Sequence, residues 1–219
     1  MNGGNNPVWV KRAAPVEFGG YDRIRLSMLN GGINSSVRLI QYEQIIDLVG
    51  VMLFTSFDCN LETYLNAETE CFDVNGDLVA TFMEYKAAEE IKAYPEHVLY
   101  IPRWDLNRGD CIGERAVVDL ACVISPYQAE KPYSIQRSIT NAISYLCLNG
   151  CDTLYIPYNS TGAWGMDVQI FSFISNAIIA NRKCLQRVYI SVDDKERCEY
   201  MGELIAGNFT SCDIGYLEE

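Results

Sequence analysis

Short apolar runs that alternate with helical patterns constrain this chain more than any other feature of its sequence. Residues 49–57 form a continuous apolar run, which is typical of a strand buried on both faces. Residues 133–149 place apolar side chains at helical spacing, and Gly150 follows where a helix-ending glycine belongs. Strands that alternate with helices predict an α/β domain whose central sheet is largely parallel. The other predicted strands are 97–101, 116–125, 153–157 and 187–191, and the other predicted helices are 83–93, 168–180 and 194–206.

The N-terminal part of the chain predicts a β-hairpin. Apolar and polar residues alternate over 23–29, which is typical of a half-buried strand, and residues 36–41 have the same character. Residues 30–32, Asn-Gly-Gly, accept the positive φ angles that a tight hairpin turn needs. We therefore expect a hairpin over residues 21–42, whereas residues 58–82 show no pattern that assigns them.

The charge and the apolar runs exclude several classes of protein. The net charge of −12 disfavours nucleic-acid binding through a broad basic surface. The longest apolar runs are far shorter than the roughly 18 residues of a membrane span. The first six residues lack the basic and then apolar pattern of a secretory signal. These features predict a cytoplasmic protein without membrane contact.

The nine cysteines predict free thiols in a reducing compartment. They contain no CxxC pair, and His97 is the one histidine available to complete a metal site, so we expect no metal. Most of the thiols should be buried as small apolar side chains. A Cys-His nucleophile or a Ser-His-Asp triad would also need His97. We interpret this residue as a strand-end or surface histidine.

Residues 159–165, Asn-Ser-Thr-Gly-Ala-Trp-Gly, follow a predicted strand and precede a predicted helix. Ligands of open α/β sheets bind at the carboxyl ends of strands, and a helix N-terminus favours phosphate. The two glycines let the backbone approach a ligand, the hydroxyl side chains add donors, and Trp164 offers a flat face to a sugar or base. The segment lacks the Walker and GxGxxG patterns. A phosphate-binding loop and a plain connecting loop are therefore both open interpretations.

Residues 155–165, Tyr-Ile-Pro-Tyr-Asn-Ser-Thr-Gly-Ala-Trp-Gly, resemble the second phosphate-binding loop of macro domains, the ADP-ribose-binding modules. In that family the loop reads as a strand, a proline, Ser-Thr-Gly, a small or aliphatic residue, an aromatic residue and glycine. Residues 37–54 are similar to the family's opening strand, its Gly-Asp-Ile turn and its second strand. Residues 121–127, 133–149 and 168–205 are similar to its later strands and helices.

The resemblance covers roughly residues 37–205 and implies a three-layer α/β/α fold with a mixed sheet, here with the added N-terminal β-hairpin. It divides the chain into an N-terminal extension, residues 1–36, and a macro-domain-like domain, residues 37–219. It implies ADP-ribose or a related nucleotide as the ligand, with no further cofactor. Glu43 replaces the family's adenine-contacting aspartate. The implied ligand-binding residues are Glu43, Asn159, Ser160, Thr161, Gly162, Ala163, Trp164 and Gly165.

The sequence departs from the family in the loop after the second strand. Macro domains carry Asn-Ala-Ala-Asn and a run of glycines there, whereas residues 54–65 contain no glycine. Because hydrolytic members use that loop, we expect ligand binding without efficient hydrolysis. Asp58 and Asn60, just past the predicted strand, are the candidates for orienting a water in an altered mechanism. Val192 stands where the family often has an aromatic residue that packs on adenine.

Three functions are consistent with these features. The first is a divergent macro-domain-like module that binds ADP-ribose, or a related nucleotide or phosphate ligand. The second is an ADP-ribosyl hydrolase with a rewired site. The third is a pseudo-enzyme whose fold serves contact with a protein partner or self-association, with residues 1–36 as the contact surface.

Overall fold

The structure is a computed structural model, and it describes residues 24–30, 49–55, 67–87, 97–105, 117–124, 132–158, 167–192, 200, 203 and 212–217. Nine strands and three helices have defined bounds within these ranges. The strands are β1 (Ile24–Asn30), β2 (Val49–Thr55), β3 (Glu70–Phe72), β4 (Leu78–Thr81), β5 (Val98–Asp105), β6 (Val117–Ile124), β7 (Thr153–Pro157), β8 (Arg187–Val192) and β9 (Cys212–Leu217). The helices are α1 (Phe82–Ala87), α2 (Pro132–Leu148) and α3 (Asp167–Ala180).

The strands form one sheet in the order β4-β3-β5-β6-β2-β7-β8-β1-β9. The six strands from β6 to β9 run parallel to one another. At the other end of the sheet, β5, β3 and β4 add antiparallel pairs. The predicted α/β fold with a mixed sheet is therefore confirmed. The five strands predicted in its core correspond to β2, β5, β6, β7 and β8.

Strand β1 lies inside the sheet and not in a hairpin. It pairs in parallel with β8, where Asn30 is opposite Val192, and with β9, where Ile24 is opposite Cys212. Because these two strands occupy both edges of β1, the predicted antiparallel pairing with residues 36–41 is wrong. Those residues themselves lie outside the described ranges. An alternating pattern identifies a strand, but it does not specify which strand becomes its partner. The division of the chain at residue 36 stays a prediction.

Helices α2 and α3 pack together on one face of the sheet. Ile139 of α2 and Ile174 of α3 are completely buried, as are Met52 and Ile156 of the strands beneath them. Alternate strand residues point to the opposite face, which is buried as well. On that face lie Val51, Leu99, Leu120, Tyr155 and Tyr189. Burial on both faces explains why the central strands appear in the sequence as nearly continuous apolar runs.

A hydrogen-bonded cap ends α2 and directs the chain into β7. Gly150 has a φ of 93°, and its N–H donates to the carbonyl of Cys147 at 3.0 Å. The next N–H, that of Cys151, donates to the carbonyl of Leu146 at 3.0 Å. This pair of bonds is a Schellman motif, which favours glycine because no Cβ opposes the left-handed conformation. The sequence-based assignment of Gly150 to the helix end is confirmed.

The β3–β4 hairpin lies in the segment that sequence patterns left unassigned. Its turn is held by the Asp73 carboxylate, which accepts the N–H of Asn75 at 2.8 Å and that of Asp77 at 3.0 Å. Tyr145 of α2 donates its hydroxyl to the turn carbonyl of Gly76 at 2.7 Å. The hairpin is therefore fastened to α2, and it extends the sheet on the β5 side.

The C-terminal part of the chain adds β9 to the far end of the sheet, a strand that no sequence pattern predicted. Tyr200 and Glu203 are helical, in agreement with the predicted helix over 194–206. In the part of the chain that the structure describes, no helix combines the length and the apolar character that crossing a membrane requires.

Candidate functional site

Parallel strands bring their C-terminal ends to one edge of the sheet, here called the carboxyl edge. It is formed by Thr55 of β2, Ile124 of β6, Pro157 of β7 and Val192 of β8. Thr55 is opposite Ile124, and Pro157 is opposite Ser191, so the strand ends are level within each pair. Ligands of open α/β sheets bind at this edge.

The pairing between two central strands ends before the carboxyl edge. β2 and β7 are paired over three residues, and their last pair is Val51 opposite Tyr155. Beyond that pair β2 continues along β6 as far as Thr55, while β7 continues along β8 as far as Pro157. Register pairing between the two strands therefore stops short of the carboxyl edge, and this unpaired stretch is called the β2–β7 gap below.

The connections that leave these two strands run in opposite directions along the sheet. After β2 the chain forms β3, β4, β5 and β6, which all lie on one side of β2. After β7 it passes through α3 to β8, on the other side. Divergent connections of this kind mark the topological switch point at which α/β sheets bind ligands. Among the described strands, β2 and β7 form such a point.

Three aromatic side chains lie at the gap: Phe54 of β2, Tyr158 just after β7, and Phe171 of α3. They are called the aromatic cluster. The ring centroids of Tyr158 and Phe171 are 4.6 Å apart at an interplanar angle of 80°. Those of Phe54 and Tyr158 are 5.9 Å apart at 86°. This edge-to-face geometry is one that aromatic pairs prefer. Tyr158 and Phe171 are completely buried and Phe54 is partly buried, so the gap has an apolar floor.

Two helices begin near the gap. α2 begins at Pro132 after β6, and α3 begins at Asp167 after β7. A helix that follows a parallel strand directs its N-terminus toward the carboxyl edge, where its unpaired N–H groups and dipole favour an anion. The first turn of α2 contains no acidic residue that would oppose an anion. The other helix, α3, begins with an acidic residue, Asp167.

The residues that the sequence predicted for the site lie outside the described ranges. They are Glu43, Asp58, Asn60, Asn159, Ser160, Thr161, Gly162, Ala163, Trp164 and Gly165. Asp58 and Asn60 follow Thr55, and the 159–165 segment follows Tyr158, so the chain leads to both from the carboxyl edge on opposite sides of the β2–β7 gap. Glu43 instead precedes Val49, the first residue of β2. Val192 is completely buried at the end of β8.

Sequence reasoning did not single out Tyr158 or Ser191. The N–H of Tyr158 donates to the carbonyl of Ser191 at 2.8 Å, and the hydroxyl of Tyr155 is 3.1 Å from Ser191 Oγ. These bonds carry the β7–β8 pairing up to the carboxyl edge. Tyr158 could have been identified from its position in the sequence, directly before the Asn-Ser-Thr-Gly segment. No local pattern identifies Ser191 as its partner.

The histidine of the chain contacts a cysteine. Nδ1 of His97 lies 3.5 Å from Sγ of Cys71, because β3 and β5 pair with Phe72 opposite Val98. His97 directly precedes β5, as expected for a strand-end histidine. Only 1% of Cys71 is exposed, so its thiol is closed to a substrate in this arrangement. The pair is a contact between strands and not an accessible nucleophile.

A second polar group lies toward the opposite edge of the sheet. The buried carboxylate of Asp119 accepts the hydroxyl of Tyr100 and the N–H of Arg103, each at 2.9 Å. Sγ of Cys151 is 3.8 Å from the same carboxylate. Burial and the negative charge of Asp119 raise the pKa of Tyr100 and that of the Cys151 thiol. Each shift favours the protonated donor, and the carboxylate ties β5 to β6 through its two short hydrogen bonds.

The five cysteines whose side chains the structure describes are free thiols, as predicted. Cys71, Cys122, Cys147 and Cys151 are buried, and Cys184 is exposed. Burial raises the pKa of Cys147 to about 12. Across the same ranges, His, Cys, Asp and Glu side chains do not come together in a group of three that could hold a metal ion.

Comparison with known proteins finds similarity in structure alone. No protein-family model matches the chain, and no curated protein matches it. Poly(ADP-ribose) glycohydrolase from Deinococcus radiodurans in its apo form aligns over 86% of this chain and 83% of its own, with 8% identity and a TM-score of 0.54. The same enzyme in complex with ADP-ribose aligns over 86% and 85%, with 10% identity and a TM-score of 0.52.

These two similarities show the fold. The chain has the macro-domain-like α/β fold of poly(ADP-ribose) glycohydrolase, in agreement with the predicted fold class. The glycohydrolase from Thermomonospora curvata aligns over 89% of this chain and 80% of its own, with 13% identity and a TM-score of 0.46.

Proposed function

We propose that this chain binds ADP-ribose, or a related nucleotide with a diphosphate group, at the β2–β7 gap. The observation that carries the proposal is the topological switch point between β2 and β7, where their register pairing ends at Val51 and Tyr155. A solved structure with this fold holds ADP-ribose, which supports the choice of ligand.

In this proposal residues 159–165 hold the phosphate groups. They leave β7 at the gap and lead into α3, so their backbone N–H groups and the helix dipole act on the same anion. Glu43 accepts a hydrogen bond from the exocyclic amine of the base, and Trp164 packs against the sugar or base. The role of residues 159–165 is supported by the resemblance to macro domains and by the position of β7 and α3, and that of Glu43 by the resemblance alone.

The acidic surface sets a condition on how the phosphates are held. The chain has a net charge of −12, so a diphosphate is repelled at long range. In this proposal the attraction comes from groups in direct contact with the phosphate oxygens, chiefly the backbone N–H groups. Since salt screens the long-range repulsion more than the short contacts, the affinity should stay level or rise as ionic strength increases.

Hydrolysis of an ADP-ribosyl bond is the second candidate function. The observation that favours it is that the solved structures sharing this fold are glycohydrolases. Asp58 and Asn60 follow the end of β2 and are the candidates for orienting a water molecule. The expectation of binding without efficient hydrolysis rests on the missing glycines in residues 54–65 and stays a prediction.

The binding proposal is tested by calorimetric titration of the whole chain with ADP-ribose. We expect saturable binding that Gly162→Glu abolishes, because a carboxylate there would repel the diphosphate and fill the space beside it. Leu148→Glu is the matched control, since it adds the same charge at a side chain that is 80% exposed at the far end of α2. Absence of binding at millimolar ligand would overturn the proposal.

Hydrolysis is tested separately by incubating the chain with an ADP-ribosylated protein and measuring released ADP-ribose. Release that Asp58→Ala or Asn60→Ala abolishes, while ADP-ribose binding persists, would identify an enzyme. No release from any linkage, with binding intact, would support a binding module.

The alternative of a protein-interaction module stays a prediction. A deletion of residues 1–36 is unsuitable as its test, because it would remove β1 from between β8 and β9. Self-association of the intact chain that persists in Gly162→Glu would support this alternative, and the comparison leaves the sheet undisturbed.

A further inference from the structure

We propose that Cys184 and Cys147 form an oxidation-sensitive pair, which a hydroperoxide converts into a disulfide between the end of α2 and the turn after α3. Both residues are free thiols in the structure, so the disulfide would be a second, oxidised state of the chain. The inference goes beyond the proposed function and does not depend on any ligand.

Helices α2 and α3 fix the register between the two cysteines. Each helix connects two neighbouring members of the parallel set of strands, so the helices run in the same direction. The side-chain amide of Asn181, just after α3, donates to Ser144 Oγ of α2 at 3.1 Å. Residues three apart on a helix lie on the same side, so Cys147 is one turn beyond Ser144 on the side that meets α3.

The turn after α3 continues in the same direction. The N–H of Cys184 donates to the carbonyl of Asn181 at 2.9 Å, and that of Leu185 donates to the same carbonyl at 3.2 Å. Cys184 is therefore one turn beyond Asn181, as Cys147 is one turn beyond Ser144. Because both turns rise in parallel from one shared hydrogen bond, they bring the two thiols to neighbouring positions.

A second link holds the two chain segments together beyond the cysteines. The N–H of Gln186 donates to the carbonyl of Asp152 at 2.8 Å, and Leu185 belongs to the buried core. The cysteines thus lie between two links that join the same pair of segments, Ser144 with Asn181 and Asp152 with Gln186. Segments that are already held together lose little further freedom when a bond forms between them.

The two thiols differ in their access to solvent, and this difference sets the order of the reaction. Cys184 is exposed, whereas only 7% of Cys147 is exposed, so hydrogen peroxide meets Cys184 first. One peroxide oxygen is transferred to the sulfur of Cys184, which becomes a sulfenic acid, and water is released. The sulfur of Cys147 then attacks that sulfur, and the thiol proton and the hydroxyl group leave as a second water molecule.

Burial of Cys147 slows this second step but does not prevent it. Burial, followed by the nearby Cys184, raises the pKa of Cys147 to about 12. Only on the order of 10⁻⁵ of this thiol is ionised at neutral pH. A well-oriented intramolecular reaction has an effective concentration of roughly 10⁵ M or more, which offsets that small fraction. Cys147 can therefore react with its neighbour while it stays hidden from external reagents.

The experiment treats the reduced, whole chain with hydrogen peroxide and maps its disulfides by peptide mass spectrometry without reduction. We expect a linked pair of peptides that contain Cys147 and Cys184, which dithiothreitol separates again. Cys151→Ala is the matched control, because this buried thiol lies close along the chain but contacts Asp119 at 3.8 Å. It should leave the link intact. Pairing of Cys184 with another cysteine, or its oxidation without a disulfide, would overturn the proposal.

A second measurement follows the two steps separately. In Cys147→Ala the sulfenic acid at Cys184 has no partner, so dimedone should capture it, whereas the original chain should yield mainly the disulfide. Oxidation should also raise the melting temperature of the original chain by several degrees, because the link constrains the unfolded chain around β7 and α3. Cys184→Ser, changed at an exposed position, should lose this rise. An equal rise in Cys184→Ser would overturn the assignment of the pair.

Discussion

The hydroxyl of Tyr100 on β5 donates a hydrogen bond of 2.9 Å to the buried carboxylate of Asp119 on the neighbouring strand β6. The other oxygen of this carboxylate accepts the N–H of Arg103, whose φ of 52° lies where the β5–β6 register shifts. One carboxylate thus accepts hydrogen bonds from a buried hydroxyl group and from a backbone N–H in an irregular part of the strand. Its removal should cost more than the loss of either hydrogen bond alone.

Asp119→Ala should lower the free energy of unfolding by about 3 kcal/mol, because two donors lose their acceptor inside the protein. Tyr100→Phe removes one donor and leaves the carboxylate its other partner, so about 1 kcal/mol is expected. Urea unfolding measures both. A loss for Asp119→Ala no greater than that for Tyr100→Phe would contradict this account of the carboxylate.

Gly50→Ala should destabilise the contact between β2 and α2. A Cβ at this position would lie 3.1 Å from Cβ of Cys151 and 3.1 Å from Cβ of Leu146. Both neighbours are buried, so they have little room to move, and about 1–3 kcal/mol is expected from overpacking. Thermal and urea unfolding check this value. A neutral or stabilising effect would mean that α2 can shift away from β2.

Alkaline pH should destabilise the fold through the buried thiols. Burial raises the pKa of Cys147 from 9.0 to about 12, and burial followed by the charge of Asp119 raises that of Cys151. Below pH 9.0 both thiols are protonated whether the chain is folded or not, so the stability is fully present. As the pH rises from 9.0 toward 12, the unfolded chain loses these protons first, and stability falls.

The melting temperature, measured from neutral pH to well above 9.0, checks this expectation. Cys147→Ala should reduce the steepness of the alkaline decline, since one of the groups that ionise on unfolding is gone. Cys184→Ala is the control, because that cysteine is exposed in the folded chain. A decline of unchanged steepness in Cys147→Ala would show that other groups govern alkaline unfolding.

Thiol labelling should distinguish Cys184 from the other described cysteines. It is exposed, whereas Cys71, Cys122, Cys147 and Cys151 are buried. Iodoacetamide at mildly alkaline pH should modify Cys184 in the folded chain and the four buried thiols only after denaturation, because the reagent needs an accessible thiolate. Peptide mass spectrometry identifies the labelled positions. Early labelling of Cys147 or Cys151 would show that the end of α2 opens in solution.

The local pattern of the sequence predicted most of the central sheet. Residues 153–157 and 187–191 correspond to β7 and β8, and the helical stripe over 133–149 corresponds to α2 within one residue at each end. The φ of 93° at Gly150 agrees with its predicted role at the helix end. Periodicity and glycine conformation are properties of neighbouring residues, so they can be recognised before any tertiary contact is known.

Other elements were predicted incorrectly or not at all. The alternation over residues 23–29 identified β1 as a strand, but the hairpin assigned to it was wrong, because β8 and β9 are its partners. The β3–β4 hairpin depends on the carboxylate of Asp73 and on Tyr145 of a distant helix. A short strand such as β3 is buried by the elements that surround it. Its three residues are too few to show an alternation of apolar and polar side chains.

The sequence by itself determined the strands and helices of the α/β core and the resemblance of residues 155–165 to a phosphate-binding loop. Only the tertiary structure decided that β1 lies within the sheet, that the register pairing of β2 and β7 ends at Val51 and Tyr155, and that Tyr158 meets Phe54 and Phe171. The physical reason is that strand pairing and ring packing join residues far apart in the chain. Local periodicity encodes which face of a segment is apolar, but not which distant segment covers that face.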